Sequence, residues 1–259
     1  MFDFLIYSIQ NINLFIPTFE EFGAFIGLVL FIIVSTLIGI ALTPNNNLFS
    51  INFFVGYGFI YFVTVTAYVF FSTDIKKIYL IILLLAIIFL LFNYKNLKLK
   101  IKNILSESKL SPIILVLTIP TFICLINAKA IGWDVFSHWL PLANALDQSS
   151  EFLLRGHATN YPIASSLVLV YSSIFFEGVS ENVSALFSII QLLFIFEIIF
   201  YILAGKNLIK NHISHKLILL LLIFINPLHM NKFVYSSYVD FDISVSVFIF
   251  IYLLYSLIR

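Results

Sequence analysis

The sequence is short of charge. Asp, Glu, Lys and Arg make up 10% of its 259 residues, against 61% hydrophobic residues, where a soluble domain carries about a quarter charged. With a mean hydropathy of +1.07, that scarcity excludes an ordinary soluble domain and reads as an integral membrane protein. The signs nearly cancel, at a net charge of +1, which excludes a bulk electrostatic case for nucleic acid. Cys124 is the single cysteine and lies in an apolar run, so there is no internal disulfide and no indication of redox compartment. A phosphate-cradling glycine-rich loop, a nucleophile elbow and metal-type Cys/His spacing are all lacking. Residues 1–22 hold Asp3, Glu20 and Glu21 in place of a basic leader and do not read as a secretory signal.

What is abundant is apolar length. A spanning helix needs roughly 20 apolar residues, and the runs at 23–43, 51–72, 76–92, 111–127, 183–204, 214–230 and 241–258 qualify or nearly so. A shorter run covers 163–176. The expected fold class is all-α: a polytopic transmembrane helical bundle, with interfacial helices in one long external loop. Residues 1–127 would form an N-terminal set of transmembrane helices, and 128–259 a core with an external loop at 128–182 and further transmembrane helices.

Lysines orient the set. Lys95, Lys98, Lys100, Lys102 and Lys109 fall within 93–110, and a second basic stretch, GKNLIKNHISHK, covers 205–216. The positive-inside rule places both in the cytoplasm. Both can be there only if 163–176 makes no net crossing and instead lies in the external interface or re-enters. That puts 128–182 and YSSYVDFD (235–242) on the same external side. Lys76 and Lys77 also fall outside in this scheme and are its one conflict with the rule.

The external segments collect the polar chemistry. GWDVFSHWLPL (132–142) contains both tryptophans of the chain. From Val135 to Leu146, Phe136, Trp139, Leu140, Ala143 and Leu146 recur at three- and four-residue spacing, with Ser137, His138, Asn144 and Asp147 on the other side. That pattern is a short amphipathic helix suited to a membrane surface. Asp134 at its start reads equally as an N-cap or as a carboxylate base with His138 one turn later. Arg155 and His157 precede the Tyr161–Pro162 step and read either as interfacial anchors or as a cationic site for a lipid phosphate. Asp240 and Asp242 precede the last apolar run and read as a cap or as oxygen ligands for a divalent cation such as Mg or Mn. Glu197 lies in LLFIFEIIFYIL, and a carboxylate in an apolar helix bonds across helices or serves a proton pathway. Asn226–Pro227 marks a kink or a helix end.

The order of these motifs, Trp133-Asp134…His138-Trp139, Tyr161-Pro162-Ile163 and Tyr238-Val239-Asp240, resembles the GT-C superfamily of polytopic membrane glycosyltransferases. These include the protein mannosyltransferases and aminoarabinose transferases. The likeness covers about residues 128–259. It implies a polyprenyl-phosphate sugar donor and a glycan, lipid or protein acceptor. It further implies Asp134 as the essential first-loop carboxylate with His138 beside it, Arg155, His157 and Tyr161 at the substrate, and Asp240, with Asp242, as the second external carboxylate site. It also implies a bacterial inner or plasma membrane, with the active site on the external face. Family members continue for further helices, so the chain reads as the N-terminal fragment of a longer or split protein. A polysaccharide polymerase or ligase, a transporter and a structural membrane subunit remain the rival readings.

Overall fold

The computed structural model describes residues 18–44, 46, 48–107, 140–148, 164–176, 178–180, 182–208, 247 and 249–253. They form α1 (Phe19–Leu42), α2 (Phe49–Phe71), α3 (Ile75–Glu107), α4 (Leu140–Gln148), α5 (Ala164–Ser172) and α6 (Asn182–Leu208). Residues 249–253 are also helical, inside the run expected at 241–258, and there is no strand among the described residues. The runs at 111–127 and 214–230 lie outside the described residues. Helices α1, α2 and α3 are long and apolar enough to cross a membrane. Their outer surfaces are apolar too, with Phe62, Phe70, Leu84, Leu85, Leu91 and Phe92 exposed, as a helix surrounded by lipid requires.

Local chemistry sets the helix ends. Helix α1 starts four residues before its apolar run because Thr18 and Glu21 form a capping box. Thr18 Oγ1 accepts from Glu21 N at 3.2 Å, and Glu21 Oε2 accepts from Thr18 N at 2.8 Å. Asp74 caps α3, its Oδ1 accepting from Lys76 N at 2.8 Å. Asn52, fully buried, closes the α1–α2 turn by donating to Leu48 O at 2.7 Å. Thr43 Oγ1 lies 2.7 Å from both Gly39 O and Asn52 Oδ1, so its one proton serves one of them at a time.

Helices α1 and α2 meet through small residues. A Cβ on Gly56 would stand 1.7 Å from Ser35 O, and one on Gly39 would stand 1.7 Å from Asn52 O. Only glycine permits this backbone approach, the mode by which apolar helices pack in lipid without a hydrophobic drive. Around the seam, Phe31 lies at the centre of an aromatic cluster. It meets Phe53, Tyr57, Tyr79 and Phe187 edge-on or tilted and Tyr171 face-on, with centroids 5.5–6.4 Å apart.

Helix α3 continues past its expected end at 92 because the lysine-rich stretch is helical to Glu107. The break is at Asn93 (φ −111°, ψ 16°), whose side-chain amide donates to Phe89 O at 3.2 Å. A side chain that takes a carbonyl from the helical ladder bends the helix. Beyond the bend, Leu97 and Ile104 are buried with Leu37 and Ile40 of α1, and Lys100 Nζ donates to Pro44 O in the α1–α2 turn. This end of the bundle is called the basic face here. The other end, where α1 begins, α2 ends and α3 begins, is the far face.

Helix α6 joins the two faces. Asn182 Nδ2 donates to Glu21 O at 3.2 Å on the far face. Fifteen residues on, Glu197 Oε2 accepts from Ser50 N at 2.9 Å, at the start of α2 near the basic face. The helical end of α6, at Gly205–Leu208, therefore opens the second basic stretch on the same face as the first.

Candidate functional site

The far face is where polar groups converge. Lys76 Nζ stands 2.6 Å from Asp147 Oδ1, and the two side chains are 20% and 7% exposed. The same ammonium donates to Phe176 O at 3.0 Å. Asp147 Oδ2 accepts from Gly178 N at 3.1 Å. Gly178 has φ +81°, a left-handed backbone that turns its N–H toward the carboxylate and that a side chain would strain. Lys76, Asp147 and the 176–178 turn thus tie the start of α3, the end of α4 and the chain after α5 into one knot.

That knot brings the two ends of the segment between together: Asp147 and Gly178 are hydrogen-bonded, so both lie at the far face. Within it, α5 has nine residues, about 13 Å of helix, too short to span a bilayer. It packs among the helices rather than on the surface, with residues Ser166–Ser173 buried. Its C-terminal end rises to the far face beside α1. A Cβ on Gly27 would stand 1.9 Å from Ser172 O, and Phe176 packs near Gly23. The serine hydroxyls are satisfied within the helix, Ser172 Oγ on Val168 O at 2.7 Å and Ser173 Oγ on Leu169 O at 2.8 Å. Tyr171 OH donates to Thr64 Oγ1 of α2 and stacks on Tyr79 at 4.6 Å. The expected alternatives for 163–176 were the interface or re-entry; the described part, 164–176, packs α5 among the helices and ends at the far face.

Beside the knot lies a cleft of about 310 Å³, at the small end of ligand pockets. Ser72, Thr73 and Asp74 form one wall at the α2–α3 corner, Lys77 stands in the first turn of α3, and Asp147 and Gln148 close it from α4. The two carboxylates are already engaged, Asp74 on the α3 amides and Asp147 on Lys76 and Gly178. Lys77 is exposed, and hydroxyl and amide groups complete the lining. The cleft is therefore equipped to hold a polar, hydroxyl-bearing or anionic group.

Asp134, His138, Arg155, His157, Tyr161, Asp240 and Asp242 lie outside the described residues. What is described is their immediate frame. Helix α4 begins two residues after His138, and its Ala143 and Leu146 are buried as the amphipathic pattern requires. Asp147 departs from that pattern: assigned to the polar side, it turns into the bundle because Lys76 covers it there. The segment with Arg155, His157 and Tyr161 starts directly after Gln148, on the cleft wall, and ends at α5. Sequence reasoning missed Lys76, Asp147 and Asp74 as far-face organisers. The signal available was the position of Lys76, a lysine that sits against the positive-inside rule.

Glu197 of α6 bonds across helices, the first of the two readings its sequence offered. Its carboxylate meets Ser50 N in the first turn of α2, where Leu48 supplies no side-chain cap. An acidic group at a helix N-terminus satisfies an amide that has no intrahelical partner. Among the described residues no cluster of three His, Cys, Asp or Glu could hold a metal ion. No family model, curated protein or solved structure matches the chain.

Proposed function

We propose that the protein is a membrane glycosyltransferase of the GT-C type that moves a sugar from a polyprenyl-phosphate donor to a glycan, lipid or protein acceptor at the far face. One observation supports the reading: Asp147 and Gly178, which precede and follow the stretch with Arg155, His157 and Tyr161 in sequence, are bonded to each other at the far face, next to a polar cleft. A lipid-linked donor suits this layout, because its chain stays in the bilayer while its phosphate reaches that face.

In the proposed reaction an acceptor hydroxyl oxygen bonds to the anomeric carbon as the bond from that carbon to the donor phosphate oxygen breaks. The hydroxyl proton passes to the Asp134 carboxylate, with His138 one turn away, and the electron pair departs with the phosphate. Arg155 and His157 stabilise the charge that develops on the phosphate, and Tyr161 lines the same site. Asp240 and Asp242 orient the acceptor or hold a divalent ion such as Mg or Mn.

The test is transfer of radiolabelled sugar from a polyprenyl-phosphate donor in membranes containing the chain, comparing wild type with Asp134→Asn. Loss of transfer at unchanged protein level supports the reading. Equal transfer by Asp134→Asn and Asp240→Asn ends it. A dead Arg155→Ala beside an active Asp134→Asn moves the assignment to a polysaccharide polymerase or ligase.

A further inference from the structure

The helical extension 94–107 carries a feature that the bundle does not use. Lys95, Lys98 and Lys102 are spaced three and four residues apart, so they share one face of the helix. All three are exposed, and none is in an ion pair with a described residue. Glu107 is the one acidic residue from 75 to 107. Apolar side chains flank the lysine stripe and are exposed as well: Tyr94 at 64%, Leu99 at 63% and Ile101 at 40%. The inward face is occupied, since Leu97 and Ile104 are buried against α1, and Lys100 differs from the other lysines in being bound to Pro44 O.

The helix also sits where such a face is useful. It leaves the spanning part of α3 at the Asn93 bend and packs over the α1–α2 turn, at the end of helices that are apolar enough to cross a membrane. Exposed leucine, isoleucine and tyrosine beside unpaired lysines are costly in bulk water and favourable at a bilayer boundary. There the apolar groups enter the acyl region and the ammonium groups meet phosphates.

We propose that the Lys95–Lys98–Lys102 stripe is a docking surface for anionic phospholipid headgroups, holding the basic face of the bundle on a negatively charged leaflet. The occupant is lipid rather than a soluble anion, because the stripe is bordered by exposed apolar side chains that a free phosphate would leave in water. The inference is independent of the transfer reaction.

The full chain in neutral detergent, titrated with phosphatidylglycerol or phosphatidylcholine and read by native mass spectrometry, tests it. A lysine near an anionic leaflet is worth roughly fivefold in affinity. The triple variant Lys95→Gln/Lys98→Gln/Lys102→Gln should therefore lose at least about tenfold in phosphatidylglycerol affinity, while Lys100→Gln stays within about twofold. Wild type should lose its preference at about 1 M salt, where screening reaches about 3 Å, a readout that needs no variant to fold. Equal binding of the two lipids by wild type, or unchanged phosphatidylglycerol affinity in a triple variant that retains wild-type helicity, overturns the proposal.

Discussion

Breaking the Lys76–Asp147 pair from either side should have unequal costs. Replacing Lys76 with Met leaves a carboxylate whose side chain is 7% exposed, with the Gly178 amide as its remaining donor. Removing one partner of a buried pair costs about 3–5 kcal/mol, because the other charge stays desolvated. The Gly178 bond offsets part of this, so we expect about 3 kcal/mol for Lys76→Met. Asp147→Asn should cost less. Lys76 is 20% exposed and keeps its bond to Phe176 O, so its ammonium can reach water, and about 1 kcal/mol is expected, nearer the surface-pair range. Lys76→Met/Asp147→Asn removes both charges and should cost less than the sum of the two single changes, since neither partner is then left as an uncompensated buried charge.

The assay is denaturant unfolding of the detergent-solubilised chain, followed by tryptophan fluorescence and helical circular dichroism, with the four proteins forming a double-mutant cycle. A coupling of about 1–3 kcal/mol is expected. Two results would refute the reasoning: Lys76→Met costing under about 0.5 kcal/mol, as an exposed pair would, or single costs that add without coupling. A loosened pair should also release the 148–177 loop at its base. Proteolysis within 149–163 should therefore accelerate in Lys76→Met before the spanning helices unfold.

Glycine substitutions separate close approach from helix propensity. Gly56→Ala, whose Cβ would meet Ser35 O, should destabilise by more than about 2 kcal/mol, within the upper range for overpacking. Gly58→Ala, with open space around its Cβ, should be neutral or stabilising by up to about 1 kcal/mol. Thermal unfolding in detergent reads both, and equal effects would remove the packing explanation. At Glu197, Leu should cost about 1–3 kcal/mol by orphaning Ser50 N, whereas Gln retains an acceptor oxygen and should stay within about 1 kcal/mol of wild type. If Gln is as damaging as Leu in unfolding measurements, the capping role is wrong.

Much of the bundle is legible in the sequence because lipid imposes a coarse rule, that an apolar run must be about as long as the bilayer is thick. That rule locates α1, α2 and the apolar part of α3 to within a few residues. It fails where the helix leaves the lipid. Residues 94–107 look like a loop when charge counts against a span, yet helix formation outside the apolar layer requires only good helix formers and one packed stripe, here Leu97 and Ile104. The start of α1 was legible through Thr18 and Glu21, at capping-box spacing, but an apolar window passes over them. Depth along α6 was not legible, because its apolar run has no internal marker of level. Only the contact with Ser50 assigns Glu197 to a helix end.

The far-face site shows the same division between composition and partnership. Asp134, His138, Arg155, His157, Tyr161, Asp240 and Asp242 attract attention because polar residue types are rare in so apolar a chain. Rarity identifies where chemistry can occur without saying what holds it in place. Lys76 and Asp147 do the holding on the described part of that face, and neither belongs to a motif. Lys76 is paired at 2.6 Å with a side chain that is 7% exposed, so the lysine that runs against the positive-inside rule is the one that fastens the end of α4 to the start of α3. Lys77, one residue on, stands in the wall of the cleft where an anionic group would meet it.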